Sequence, residues 1–78
     1  MGVAGAQNVD AVIGGRTYIG HALDSMQARG LTPSVVEDTI VRGVATPGRF
    51  GGTIYTTEQA RVIIEPNGTV VTAYPYSP

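Results

Sequence analysis

Hydrophobic residues recur with a helical spacing in the first third of the chain. Ile19, Leu23 and Met26 stand at i, i+4 and i+7, which places them on one side of a helix. Gly30 follows at a position where glycine commonly ends a helix in the left-handed conformation. The spacing therefore predicts a first helix over about residues 18–29 with one apolar side.

The next segment carries clearer helix boundaries. Thr32 is a favourable N-cap residue, Pro33 suits the first helical position, and Gly43 stands just past the last periodic residue. These signals predict a second helix over residues 33–42. The short connection between the two helices predicts a compact helical hairpin.

Residues 45–52 interrupt the regular pattern. They contain a proline and three glycines, and they are predicted to form a loop. The loop has two interpretations: a plain connection between helix and sheet, or a segment whose backbone amides hold a phosphate. It matches neither Walker nor dinucleotide-binding spacing.

The last third of the chain alternates between polar and apolar residues, as strands do. Strands are predicted over about residues 53–57, 61–65 and 69–74. The turn Pro66-Asn67-Gly68 joins the last two strands in a hairpin that sets Glu65 opposite Thr69.

This hairpin register divides the strand residues between two faces. The face expected to meet the helices carries Val62, Ile64, Val70, Thr72 and Tyr74. The opposite face carries Arg61, Ile63, Glu65, Thr69, Val71 and Ala73. Because this second face also holds apolar residues, we expect another strand, the N-terminal segment or a partner to cover it.

Residues 1–16 show no sustained period, so they are predicted to be a linker or lead-in segment before a single domain over residues 17–78. Within them, the apolar cluster Ala11-Val12-Ile13 could dock as a strand or as a turn of helix. The predicted fold is α+β, with two N-terminal helices packed on a small antiparallel sheet of three to four strands.

Composition limits the kinds of functional site that the chain can form. The 78 residues include no cysteine, which excludes disulfides and a thiolate zinc site, and a single histidine, which disfavours an all-protein transition-metal site. The net charge of −1 argues against strong non-specific binding to nucleic acid. No apolar run approaches the roughly 18 residues of a membrane span. We expect no cofactor and no membrane-spanning segment.

The single histidine, His21, lies in the first turn of the first predicted helix. An imidazole titrates near neutral pH, and the positive end of a helix favours its neutral, proton-accepting form. His21 is therefore the leading candidate for acid–base chemistry. The alternative is a partly buried surface histidine with no chemical role.

Three segments together suggest a family. The runs GHALDSMQARGLTPSVVEDTIVRG, TPGRFGGTIY and VIIEPNGTVVTAYP resemble the C-terminal toxin domains of bacterial Rhs and contact-dependent inhibition proteins. They are similar in particular to small ribonucleases of the barnase/EndoU/colicin/RelE superfamily. Gly20-His21-Ala22, Met26 and Arg29-Gly30 match the family pattern, whereas Ser25 stands where many relatives carry Arg or Gln.

The resemblance implies metal-independent RNA cleavage, in which a 2′-hydroxyl attacks the adjacent phosphate and leaves a 2′,3′-cyclic end. The expected catalytic residues are His21, Tyr55 and Thr72, and the expected substrate-binding residues are Arg42, Arg49, Thr53 and Tyr74. His21 can be the base or the acid. The complementary role would fall to Tyr55, Tyr74, Glu58 or Glu65, or to the substrate itself. Tyr55, Tyr74 and Phe50 could also stack on bases.

The resemblance also implies partners and a place of action. These are an RNA substrate such as a tRNA, a cognate immunity protein, delivery as part of a larger secreted protein and action in the cytoplasm of a target cell. The oligomeric state stays open. Two other functions fit the same scaffold: a non-catalytic interaction module or homo-oligomer, and a DNase or nucleotide-modifying toxin.

Overall fold

The computed structural model describes residues 8–76, which form two helices and six strands. In chain order these are β1 (Ala11–Ile13), β2 (Arg16–Tyr18), α1 (Gly20–Arg29), α2 (Pro33–Arg42), β3 (Val44–Pro47), β4 (Thr53–Thr56), β5 (Ala60–Ile64) and β6 (Val70–Pro75). The strands form one sheet of order β1-β2-β6-β5-β4-β3, in which β2 and β6 are parallel and the other neighbours antiparallel.

The predicted fold was therefore wrong in its sheet and in the order of its elements. The helices lie mid-chain, after two strands, and the sheet is mixed and has six strands instead of three or four antiparallel ones. The missed strands contain only three or four residues each. A segment that short cannot display a period, so its strand character comes from its pairing partners.

The first missed pair is a hairpin at the N-terminal edge of the sheet. Gly14 and Gly15 have φ angles of 59° and 80°, as a two-residue hairpin turn of the primed type requires. The cluster Ala11–Ile13 docks as a strand, with Ala11 opposite Tyr18. Part of the segment interpreted as a lead-in thus belongs to the sheet.

The third strand that was not predicted replaces the first three residues of the predicted loop. Val44–Pro47 pairs with β4, from Val44 opposite Thr56 to Pro47 opposite Thr53. A proline is tolerated there because β3 is an edge strand and needs no partner on its outer side. The prediction of a loop over residues 45–52 was wrong for this stretch, and the hairpin tip between β3 and β4 contains a short 3-10 turn at Arg49–Gly51.

The helix boundaries follow the sequence closely. The Thr32 hydroxyl accepts a hydrogen bond from Val35 N at 3.3 Å, which confirms the predicted N-cap of α2. Gly30 ends α1 with φ 71°, as predicted. The start of α1 is capped from a distance, because Asp10 Oδ1 accepts from Gly20 N at 2.8 Å.

The core lies between the helices and one face of the sheet, called here the inner face. Helix α1 packs on β6, and α2 packs on β5 and β4. The buried core residues are Tyr18, Ala22, Met26, Val36, Val62, Ile64, Val70 and Ala73. The opposite side of the sheet is the outer face.

A bulge in β6 changes which residues point outward. The hairpin turn is as predicted, since Glu65 N donates to Thr69 O at 2.9 Å. Ile64 then pairs with Val70, but Ile63 pairs with Thr72, so Val71 is an extra residue. Because one extra residue reverses the alternation, Thr72 and Tyr74 lie on the outer face, and Ala73 faces the core. The predicted faces of these residues were wrong for this reason.

An ion pair joins the N-terminal hairpin to α2. Arg16 Nε lies 2.6 Å from Glu37 Oε2, and the hydroxyl of the fully buried Tyr18 donates to the same oxygen at 3.2 Å. Burial raises the pKa of the Tyr18 phenol to about 12, and the Glu37 carboxylate adds to the increase.

The raised pKa of Tyr18 predicts a loss of stability in alkaline solution. The phenol is neutral in folded and unfolded chains below its ordinary pKa of 10.0, and between that value and about 12 the unfolded chain ionises more readily. The free energy of unfolding should therefore fall by about 2–3 kcal/mol across this range. Denaturant titrations from about pH 9 to 12 measure the loss. Tyr18→Phe has no phenol at this position and should lack this part of the decline; an equal decline in both proteins would contradict the assignment.

Candidate nucleic-acid interface

The outer face of β4, β5 and β6 is open in the part of the chain that the structure describes, because both helices pack on the inner face. Strand register places its side chains in rows across the sheet. One row consists of Thr56, Arg61 and Tyr74, and the next consists of Ile54, Ile63 and Thr72. A polar, aromatic row thus lies beside a mainly apolar one.

Arg61 is held in a defined position at the centre of the first row. Its guanidinium carbon lies 4.3 Å from the centroid of the Tyr76 ring, and its Nε donates to Thr56 Oγ1 at 3.2 Å. Tyr76 is itself anchored, since its backbone N donates to Gln59 O at 3.0 Å. Within residues 8–76, the two terminal nitrogens of Arg61 make no hydrogen bond, so they are available to a ligand.

This arrangement has the chemical groups that bind single-stranded nucleic acid. A guanidinium can donate two parallel hydrogen bonds to a phosphate, and its planar form also stacks on aromatic rings. Tyr74 and Tyr76 supply aromatic surface beside that cation, and unpaired bases are commonly bound by stacking on such rings. The open face therefore combines a phosphate donor with base-stacking groups.

The same face continues towards the tip of the β3–β4 hairpin. There a cavity of about 430 Å³, called the tip pocket, lies between the hairpin tip and the sheet. Its walls include Arg49, Phe50, Ile54, Ile63, Pro66 and Val71. The Phe50 side chain is 93% exposed at the end of the hairpin.

Three of the predicted site residues lie on this side of the molecule. Thr72 and Tyr74 belong to the two rows, and Arg49 lines the tip pocket. Arg61 was not among the predicted site residues. The sequence pattern placed Arg61 and Ile63 on one face, but the contact of Arg61 with Tyr76 joins β5 to the residue just after β6 and is not visible in local sequence.

Other predicted site residues lie on the helical side. His21 is exposed on the first turn of α1, and its side chain makes no hydrogen bond to any residue in the 8–76 range. Tyr55 pairs with Val62 and packs against the core, and Thr53 pairs with the buried Ile64. The structure does not bring His21 to the face that carries Thr72 and Tyr74.

The remaining predicted residue, Arg42, is already engaged. It forms an exposed ion pair with Asp38 at 2.8 Å within α2. The hydrogen bond from Arg42 lowers the pKa of the Asp38 carboxyl and raises that of the guanidinium. Exposed ion pairs of this kind contribute little free energy, so Arg42 could exchange Asp38 for a phosphate.

A second, polar depression lies where two hairpin turns meet. It has a volume of about 320 Å³ and is lined by Gly14, Gly15, Arg16, Thr17, Asn67, Gly68 and Thr69. The guanidinium of Arg16 is paired with Glu37. The outer face is therefore the stronger candidate for an anionic ligand.

Comparison of the chain with protein-family models, curated proteins and solved structures gave no match. Among the described residues, no group of three or more His, Cys, Asp or Glu side chains could hold a metal ion. Neither of the two helices seen here is long and apolar enough to cross a membrane.

Proposed function

We propose that the chain is a metal-independent ribonuclease that binds single-stranded RNA on its outer face. The proposal of RNA binding is supported above all by the position of Arg61, which stacks on Tyr76 and donates to Thr56 on an open sheet surface. The cleavage chemistry is supported by the resemblance of residues 20–75 to small bacterial toxin domains. In this reaction the RNA 2′-hydroxyl attacks the adjacent phosphate and a 2′,3′-cyclic phosphate is formed.

The reaction needs a proton acceptor, a proton donor and groups that stabilise charge on the phosphate oxygens. Arg61 suits the binding of a phosphate of the strand on the outer face, where the hydroxyls of Thr72 and Tyr74 are also available. His21 is the candidate proton carrier on the grounds of the resemblance. Since His21 lies on the helical layer, it and Arg61 act on different phosphates, and a strand held at Arg61 must extend around the edge of the sheet to be cleaved at His21.

The same resemblance supports the biological setting of the proposal. It favours a cognate immunity protein as partner, an RNA such as a tRNA as substrate, and use in competition between bacteria. It also favours delivery as part of a larger protein and action in the cytoplasm of the target cell.

Substitution of His21 tests the proposed chemistry. Purified protein is expected to cleave RNA in EDTA and leave 2′,3′-cyclic ends, and His21→Ala should reduce the rate by about 100-fold or more because a proton-transfer group is lost. Sequencing of RNA ends measures both the rate and the product. Gln27→Ala, an exposed change on the same helix, is the matched control.

Two outcomes would count against these assignments. Unchanged cleavage by His21→Ala would remove His21 from the reaction and direct the search for the proton carrier to Tyr74 and Glu65. Absence of cleavage by the unmodified protein in EDTA would overturn the metal-independent ribonuclease itself. A cut restored by added Mg²⁺ would instead favour a metal-dependent nuclease.

A non-catalytic interaction module is the second candidate. The apolar residues Ile54, Ile63 and Val71 lie on the open outer face, beside the exposed Phe50. Exposed apolar clusters of this kind often mark association surfaces. A stable homo-oligomer that buries Ile63 and Val71, together with no cleavage of RNA, would favour this function.

A further inference from the structure

We infer that the tip pocket is a second base-binding subsite, which takes one unpaired nucleobase of the RNA strand bound at Arg61. This assignment rests on the proposed function. It identifies the part of the substrate that the apolar end of the outer face recognises. It also explains why an exposed phenylalanine stands at the end of this hairpin.

The backbone at Phe50 is the first observation. Phe50 has φ 55° and ψ 34°, and it is the one residue other than glycine with a positive φ in the described part of the chain. An aromatic residue in this region is strained, and such strain is commonly found at binding sites. The conformation holds the ring 93% exposed instead of packing it on the sheet.

Two backbone hydrogen bonds close the hairpin tip around Phe50. Gly48 N donates to Gly52 O, and Gly52 N donates to Arg49 O, both at 2.9 Å. A side chain at Gly52 would bring its Cβ to 2.5 Å from Ile64 O, so the tip is seated closely against β5. The ring therefore projects from a braced turn.

The chemistry of the pocket suits a base. Ile54, Ile63 and Val71 provide apolar surface for the flat faces of a nucleobase, and Phe50 supplies an aromatic ring. Arg49 and Glu65 also line the pocket; the guanidinium can donate to a base edge or a phosphate, and the carboxylate can accept from a base N–H. The volume of about 430 Å³ lies in the range of small-ligand pockets.

The position of the pocket relative to Arg61 identifies the occupant. Arg61 and Ile64 are three residues apart on β5, which corresponds to about 10 Å along the strand. Arg61 and Arg49 place cationic groups on either side of the apolar row. A ligand with apolar faces between negative charges matches this pattern, and two adjacent nucleotides of single-stranded RNA have that form.

Binding of a short, uncleavable RNA tests the subsite. A tetranucleotide with 2′-O-methyl groups cannot undergo 2′-hydroxyl attack, so its affinity can be measured with the intact protein. Phe50→Leu keeps an apolar side chain at the tip but removes the ring, and it should weaken binding roughly 5- to 100-fold because a stacked base is lost. Val41→Ala, an exposed apolar change on α2, is the matched control and should bind normally.

A second ligand makes the test specific for a base. Tetranucleotides that lack one base, at each position in turn, identify the nucleotide held in the pocket. Removal of that base should weaken binding to the unmodified protein, and it should have much less effect on Phe50→Leu, since the ring that it contacts is already gone. If Phe50 had only a structural role, removal of the base should weaken binding equally in the unmodified protein and in Phe50→Leu.

The possible failures are distinguishable. Absence of tetranucleotide binding by the unmodified protein would overturn the proposed function and, with it, the subsite. Binding that depends on Arg61 but is equal in Phe50→Leu would overturn the subsite alone. If sedimentation shows a homodimer that Phe50→Leu dissociates while RNA affinity is unchanged, the pocket is an interface between copies, and the base-binding assignment is wrong.

Discussion

Replacement of Arg61 by methionine is expected to weaken binding of single-stranded RNA roughly 10- to 100-fold. Methionine keeps much of the apolar stem but removes the guanidinium that donates to a phosphate, and hydrogen bonds to charged groups contribute about 1.5–3 kcal/mol. The loss should exceed that of an ordinary surface charge because Tyr76 and Thr56 hold this guanidinium in place. Fluorescence anisotropy with a 2′-O-methyl oligonucleotide measures the affinity.

The salt dependence of RNA affinity provides a second, independent test of the contact between Arg61 and a phosphate. One phosphate contact on single-stranded RNA changes the slope of log affinity against log salt by about 0.7, so Arg61→Met should reduce the slope by that amount. Arg29→Met causes the same change in net charge at the end of α1, on the helical layer, and serves as the control. Equal effects of the two substitutions would show that net charge matters and the stacked arginine does not.

Met26→Ala is expected to reduce the free energy of unfolding by about 2–5 kcal/mol, because it removes a buried side chain and leaves a cavity. Met26 is 3% exposed in the core under α1. In a domain of this size each kcal/mol lowers Tm by about 4–8 °C, so the melting temperature should fall by at least about 8 °C. Thermal denaturation followed by circular dichroism measures the change.

His21→Ala serves as the comparison for the stability of Met26→Ala. Met26 and His21 both belong to the run that resembles the toxin domains, but only Met26 is buried. His21→Ala and Gln27→Ala should therefore change stability by less than about 0.5 kcal/mol, as exposed substitutions commonly do. A large loss of stability in His21→Ala would mean that the histidine has a structural role and would weaken the case for chemistry.

Local patterns predicted the elements that depend on neighbouring residues. The cap at Thr32, the end of α1 at Gly30 and the turn between Glu65 and Thr69 all involve residues a few positions apart. Each is governed by backbone conformations and short hydrogen bonds that sequence alone encodes. These features were therefore predictable.

The candidate site was less predictable because its groups come from separate strands. Arg61 and Tyr76 are fifteen positions apart and meet through the pairing of β5 with β6. Thr72 and Tyr74 were predicted as site residues from the resemblance, and the predicted hairpin register separately placed them on the face towards the helices. The bulge at Val71 places them on the outer face instead, beside Arg61.

The sequence by itself determined the two helices, the three C-terminal strands and the turns that bound them, since these follow from local spacing and turn chemistry. Tertiary structure decided the rest. The hairpin at Gly14 and Gly15 and the edge strand Val44–Pro47 are too short to be defined without partners. One extra residue in β6 then set which side chains line the open face, because the alternation of a strand reverses at a bulge.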